Sequence, residues 1–185
     1  MLDGIPKYFG SLCSLETLFF DNNSVVVTFP DFLNNLSGCT SLSLQSLFAE
    51  TNQLTGSLPD EIQKFTSLLD VSLSENLLKG TISKKLWELP KLQNLDLSGN
   101  SLQGFPSSDY MSNLSDIEFI RLSSCNLGPR FPKWIQNLKN LTSLDIANTG
   151  ISDTIPLEFW DTWPSWLTFL NLSSKNISGK VPDLS

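Results

Sequence analysis

The sequence predicts an α/β solenoid. A curved stack of short parallel strands should form a concave face, backed by short helical or 3-10 turns on a convex face, in about seven repeats. Three observations predict it. One frame, L-x-x-L-x-L-x-x-N-x-L-x-G-x-I-P, recurs along nearly the whole chain. Its asparagine slot falls at 23, 52, 76, 100, 125, 149 and 175, in steps of 29, 24, 24, 25, 24 and 26, and a fixed period of this length is the mark of a repeat array. Leucine supplies 33 of 185 residues and serine 27, with charged residues at only 17%, a balance too apolar for a disordered acidic chain.

The first repeat reads Leu15, Leu18, Phe20, Asn23, Val25, Phe29, Pro30, with Val27 in the glycine slot. The second reads Leu44, Leu47, Ala49, Asn52, Leu54, Gly56, Leu58, Pro59. The third and fourth continue as Leu68, Val71, Leu73, Asn76, Leu78, Gly80, Ile82 and as Leu92, Leu95, Leu97, Asn100, Leu102, Gly104. Ile117, Ile120, Leu122, Cys125, Leu127 and Leu141, Leu144, Ile146, Thr149, Ile151 keep to the frame. Leu167, Leu170, Leu172, Lys175, Ile177, Gly179 close it. The long first step carries an insertion around 36–41, which belongs in the variable outer half of a repeat.

Each slot has a physical reason. The L-x-L core alternates with period two, so it forms a short strand with one face buried. The slot after the strand turns the chain inward and exposes backbone N–H and C=O groups to an apolar interior, where they must be paired. An asparagine amide, both donor and acceptor, bridges them down a ladder of Asn23, Asn52, Asn76 and Asn100. Cys125 and Thr149 can do part of that work. Lys175 cannot be buried there alone, so the ladder should weaken toward the C-terminus. In G-x-I-P, glycine admits a left-handed turn and proline presets φ. Residues 60–65 and 133–138 read as convex helical turns, and Trp87, Trp134, Trp160, Trp163 and Trp166 as convex packing.

Composition excludes several functions. The net charge of −7, from 12 basic and 19 acidic residues, opposes nucleic acid and anionic membrane surfaces, both of which require a basic patch. With no histidine, the commonest general base and metal ligand is missing. No catalytic residue, metal site or cofactor is expected, and the chain does not read as an enzyme. No apolar window reaches the length of a membrane span, and the first six residues lack the pattern of a signal peptide. Cys13, Cys39 and Cys125 form an odd, widely spaced set. Cys13 and Cys39 occupy different phases of the repeat, so they are expected to stay unpaired.

The 24-residue period with Leu54-Thr55-Gly56-Ser57-Leu58-Pro59 and Leu95-Asp96-Leu97-Ser98-Gly99-Asn100 resembles the plant-specific class of extracellular leucine-rich repeats. Cys125 in the asparagine slot and the stretch from Asn148 to Pro156 are similar to ectodomains of plant receptor-like proteins. That resemblance implies a ligand-recognition module on the extracellular side of the plasma membrane, acting in defence or developmental signalling. Its partners would be a protein or peptide ligand and a co-receptor. An inhibitor of a secreted wall-degrading hydrolase is the alternative, and a truncated, inactive copy is a third reading. The chain is expected to be one domain over 1–185 without either cap. Residues 1–14 would be a partial leading repeat and 15–185 seven repeats, the last incomplete. An uncapped end wets about half a dozen aliphatic side chains, forfeiting roughly 10 kcal/mol of burial.

The outward strand positions are the expected binding surface. Between the two buried strand residues, successive repeats present Phe19, Phe48, Ser72, Asp96, Arg121, Asp145 and Asn171. One position before the first of them come Thr17, Ser46, Asp70, Asn94, Phe119, Ser143 and Phe169. Asp21, Glu50 and Glu75 add acid after the strand. The candidate ligand-binding residues are Phe19 and Phe48 as a stacked apolar anchor, Asp70, Asp96 and Asp145 as a clamp for Lys or Arg, and Phe119, Arg121 and Phe169 beside them. A purely structural reading has the two phenylalanines packing on each other and the acids solvating the face. Six N-x-Ser/Thr sequons, at Asn22, Asn35, Asn113, Asn140, Asn171 and Asn176, agree with a secretory history.

Overall fold

The computed structural model describes residues 4–104, 116–162, 167–173 and 177–179. Seven short strands within them form one parallel sheet: β1 (Thr17–Phe19), β2 (Ser46–Phe48), β4 (Asp70–Ser72), β6 (Asn94–Asp96), β8 (Phe119–Arg121), β9 (Ser143–Asp145) and β10 (Phe169–Asn171), in that spatial order. The pairing is in register with the repeat. Leu18, Leu47, Val71, Leu95, Ile120, Leu144 and Leu170 face one another down the stack.

The core is a direct product of the frame. The strand residues Leu47, Val71, Leu95, Ile120 and Leu144 are buried, as are Ala49, Leu73, Leu97, Leu122 and Ile146 two positions on. Each of them except the smaller Ala49 adds about 1.5–3 kcal/mol of gross burial, realised only because the next rung dries it. At the last described rung Leu167, Leu170 and Leu172 are only partly buried.

A second sheet was not foreseen. β3 (Thr55–Gly56), β5 (Leu77–Thr81) and β7 (Ser101–Gln103) pair in parallel just past the ladder. The L-x-G stretch therefore runs extended before it turns. Gly56 and Gly80 both sit at φ 85°, as the turn requires. Beyond β7 the pairing among the described residues dwindles to the single bridges Gln103–Asn126 and Thr154–Ser178.

The convex side carries 3-10 turns at Asp60–Lys64 and Lys133–Asn137, as predicted. The outer half of the first repeat forms α1 (Phe29–Leu36), and the insertion around 36–41 joins it to α2 (Thr40–Ser43), again on the outer side. Thr28 caps α1 by accepting the Asp31 N–H at 3.2 Å, and proline occupies its first turn. α3 (Lys84–Trp87) and α4 (Leu157–Thr162) complete the outer row. Trp87 is buried and tilted against Trp134 at 5.4 Å, and Trp160 packs edge-on to Phe159, so these three are convex packing. Trp163 and Trp166 lie outside the described residues.

The cysteine expectation was wrong. Cys13 and Cys39 form a disulfide, with Cα atoms 4.8 Å apart. Repeat phase misleads here because the insertion rotates Cys39 out of the ordinary frame. The 3-10 turn Lys7–Ser11 packs backbone against backbone on the Ser37–Gly38 corner. A Cβ at Gly10 would meet the Ser37 carbonyl at 2.4 Å. Thr40 reinforces the contact by donating its hydroxyl to the Phe9 and Leu12 carbonyls. That crossing brings the two sulfurs together.

Candidate functional site

The ladder that shapes the concave face is built as its chemistry requires. Asn76 accepts the Leu54 N–H at 3.0 Å and donates to the Ala49, Leu73 and Ser74 carbonyls at 2.9–3.1 Å. Asn100 accepts from Leu78 and donates to Leu73, Leu97 and Ser98. Asn52 accepts from both Asn23 and Val25. Asn23 is less engaged, donating to Asp21. Cys125 donates to the Leu97 carbonyl at 3.3 Å, and Thr149 to that of Ile146 at 2.8 Å. Burial pushes the Cys125 thiol above its ordinary pKa, against the opposing pull of the Asn100 and Leu102 amides. Lys175 lies outside the described residues.

Just before the ladder slot, Asn22, Thr51, Glu75, Gly99, Ser124 and Asn148 all have φ between 51° and 66°. This left-handed residue ends each strand and swings the chain off the concave face. Glycine at 99 has a second reason. A Cβ there would lie 2.4 Å from the Glu75 carboxylate, which leans across it.

The strand register sets the two outward rows in the predicted order. Phe19 and Phe48 stack with ring centroids 4.8 Å apart and planes at 10°. Phe19 is 70% exposed and shields Phe48, which is half-buried rather than exposed. Phe119 and Phe169 are exposed on the other row. Arg121 reaches 3.8 Å from Asp96, a half-exposed pair of small energetic worth.

The three acids proposed as a clamp are not equivalent. Asp70 is occupied on both oxygens, accepting from the Ser46 hydroxyl at 2.6 Å on one and from the Asn94 amide on the other. It braces three rungs. Asp96 and Asp145 each use one oxygen to accept the N–H two residues on, from Ser98 and Ala147 at 3.0 Å. Asn171 makes the same closure to Ser173 at 3.1 Å. In these three rungs the slot therefore has a structural job, a side-chain-closed turn, that uses one oxygen of the side chain.

Phe48, Asp70, Asp96, Phe119 and Arg121 come together around one depression of about 280 Å³ on the concave face. Phe19, Asp145 and Phe169 flank it at a distance. Ser72, Asn94 and Glu50 also line it. They were visible in the outward rows and beside them, but no pattern in the chain assigned Ser72 or Asn94 a role. Of the sequons, Asn22 and Asn140 are exposed and Asn171 is half-buried. Asn35 is half-buried, donating to the Ile5 carbonyl at 2.8 Å. Asn113 and Asn176 lie outside the described residues.

Among the described residues, no helix is long and apolar enough to cross a membrane. The Leucine Rich Repeat family model matches residues 43–65, 91–113 and 140–161. Receptor-like protein EIX1 of Solanum lycopersicum is 48% identical over 108 residues, 58% of this chain and 10% of that protein. Receptor-like protein 35 of Arabidopsis thaliana is 32% identical over 186 residues, 98% of this chain and 19% of that protein. The chain thus spans a tenth to a fifth of the length of these relatives. Among solved structures it resembles the Arabidopsis receptor kinase HAESA in complex with the peptide hormone IDA and the co-receptor SERK1. That likeness has a TM-score of 0.80 at 25% identity over 96% of this chain and 28% of that one. With frame, register and ladder in place, the chain is a leucine-rich-repeat solenoid, similar along its length to a stretch of the plant receptor-like proteins.

Proposed function

We propose that the concave face recognises an extended peptide or protein segment, as part of a plant cell-surface receptor-like protein in defence or developmental signalling. One observation carries the reading: the depression between Phe48 and Phe119, where aromatic and acidic side chains from four successive rungs converge. Seven strands at about 4.8 Å span roughly 30 Å, the reach of about nine extended residues. Aromatic anchors set among polar neighbours are the usual source of binding energy, and the acids favour a basic partner. The bound peptide hormone and co-receptor of the HAESA structure lend the same reading to this chain, including a co-receptor as second partner. The Cys13–Cys39 disulfide and the exposed sequon at Asn22 suit an oxidising, secretory environment, hence the extracellular side of the plasma membrane. A glycan on Asn22 would sit at the edge of the face and direct ligands toward Phe48 through Asp145.

The test is an array of nine-residue peptides probed with the chain. Retention of a subset, lost with Phe48→Ser and kept with the convex variant Lys64→Ser, is the expected result. Retention indifferent to Phe48 would move recognition off this face.

A further inference from the structure

We infer that the depression on the concave face is a specificity pocket for a single arginine side chain of the bound segment. The inference rests on the recognition reading above and gives it a chemistry. Its walls are two phenylalanines on separate rungs, Phe48 and Phe119, with Val71 and Leu95 also lining it. Its charge comes from Glu50 and Asp96. The Glu50 carboxylate makes no hydrogen bond or ion pair among the described residues, and Asp96 has one oxygen beyond its turn closure, 3.8 Å from Arg121. Asp70 lines the pocket too, but its oxygens are taken by Ser46 and Asn94, so it shapes the wall and does not bind.

The decisive feature is Ser72. It is 6% exposed, it lines the depression, and its Oγ has no hydrogen-bond partner among the described residues. A buried hydroxyl without a partner costs stability, and its neighbours in the row, Phe48 and Asp96, leave the pocket as its open side. A guanidinium meets every group present. It stacks on aromatic faces, forks onto a carboxylate and has N–H groups to spare for an acceptor hydroxyl. An ammonium meets the charge but not the planar walls. Arg121 already presents a guanidinium to Asp96 from the next rung, and it competes with the incoming side chain.

Titrating the chain with N-acetyl-arginine amide, N-acetyl-lysine amide and N-acetyl-citrulline amide, followed by backbone NMR, tests this. Arginine should shift the Ser72, Asp96 and Phe119 amides and bind about tenfold more tightly than citrulline, the value of one charge-assisted contact, with lysine between. Ser72→Ala and Asp96→Asn should each weaken arginine without lowering the thermal midpoint. Arg121→Gln should tighten it, an effect opposite in sign to any loss of structure. Citrulline binding as well as arginine, or an unchanged affinity in both Ser72→Ala and Arg121→Gln, overturns the pocket. The peptide array separates the two readings. Retained peptides without an enriched arginine sink the pocket and leave recognition standing. An array that retains nothing, beside a positive arginine titration, does the reverse.

Discussion

The central rungs and the distal rungs share one strand register but differ in the chain segment just past the strand. Between Asn52 and Asn100, each ladder asparagine takes the amide of the preceding repeat at the point where the flanking strand begins: Leu54 for Asn76, Leu78 for Asn100. The second sheet, β3–β5–β7, exists over just that stretch. At Cys125 a sulfur takes over. At Thr149 the side chain only donates, and the Leu127 and Gly128 amides turn to the Thr149 main-chain carbonyl instead. The flanking sheet lapses there, and a depression of about 630 Å³ opens among Gln103, Asn126, Thr149 and Gly150. The strand leucines alone suffice for the concave sheet. The second sheet depends on a side chain that donates and accepts at once.

The largest break of this comparison is Asn76→Leu. It orphans the Leu54 N–H and leaves the Ala49, Leu73 and Ser74 carbonyls short of a partner in an apolar interior, which should cost about 4 kcal/mol at roughly 1 kcal/mol for each bond lost. Thr149→Val removes one bond and should cost about 1 kcal/mol. Denaturant midpoints measure both, and hydrogen exchange at Leu54 should quicken only in the first. Equal losses would mean that the ladder is uniform after all.

The first rung sharpens the point from the other side. Asn23 is weakly bound, and the chain there is held by the Cys13–Cys39 disulfide instead. Replacing both cysteines by serine should lower stability by about 3.5 kcal/mol, the loop-closure entropy of a bridge spanning this separation. Calorimetry with and without reductant checks it, and the double variant should lose its response to reductant.

The strand positions, the outward rows, the ladder and the convex turns were all legible because each is set within one repeat by period and residue type. The contacts between repeats were not. The disulfide arises from an insertion that rotates Cys39 against the Lys7–Ser11 turn, a contact no phase argument contains. The second sheet needs the hydrogen-bonding capacity of a neighbour's asparagine as well as a local pattern. Ser72 reads as one more outward serine; only the bulk of Phe48 and Asp96 on either side makes its hydroxyl a buried one. Asp70 read as a clamp, since nothing in the chain's order shows that Ser46 and Asn94 meet it from adjacent rungs.

Cys125 offers a smaller, two-sided test. Cys125→Asn should extend the ladder by one rung and stabilise the chain by about 1 kcal/mol, with slower exchange at Leu102. In the parent chain the folded-state thiol pKa is raised by burial, so the native state holds its proton longer than the unfolded one. The thiol's contribution is intact below the unfolded pKa and declines as pH rises from there through the folded pKa. Stability should therefore fall at alkaline pH in the parent and lose that component in Cys125→Asn. An identical alkaline slope in both would place the thiol in an ordinary environment.

The smallest expected effect is the most discriminating for the binding surface. Asp96→Asn should change stability by less than about 0.5 kcal/mol, since a half-exposed ion pair is worth little and the turn closure survives. Asn171 already makes that closure with an amide oxygen, to Ser173 at 3.1 Å, where Asp145 makes it with a carboxylate. Two rungs of the same molecule thus show that this turn closure is made equally by a neutral and a charged acceptor. The negative charge at 96 is then free of structural duty. A chain that melts normally as Asp96→Asn yet no longer prefers arginine over citrulline would assign that charge to recognition; a melting point lowered by several degrees would return it to the fold.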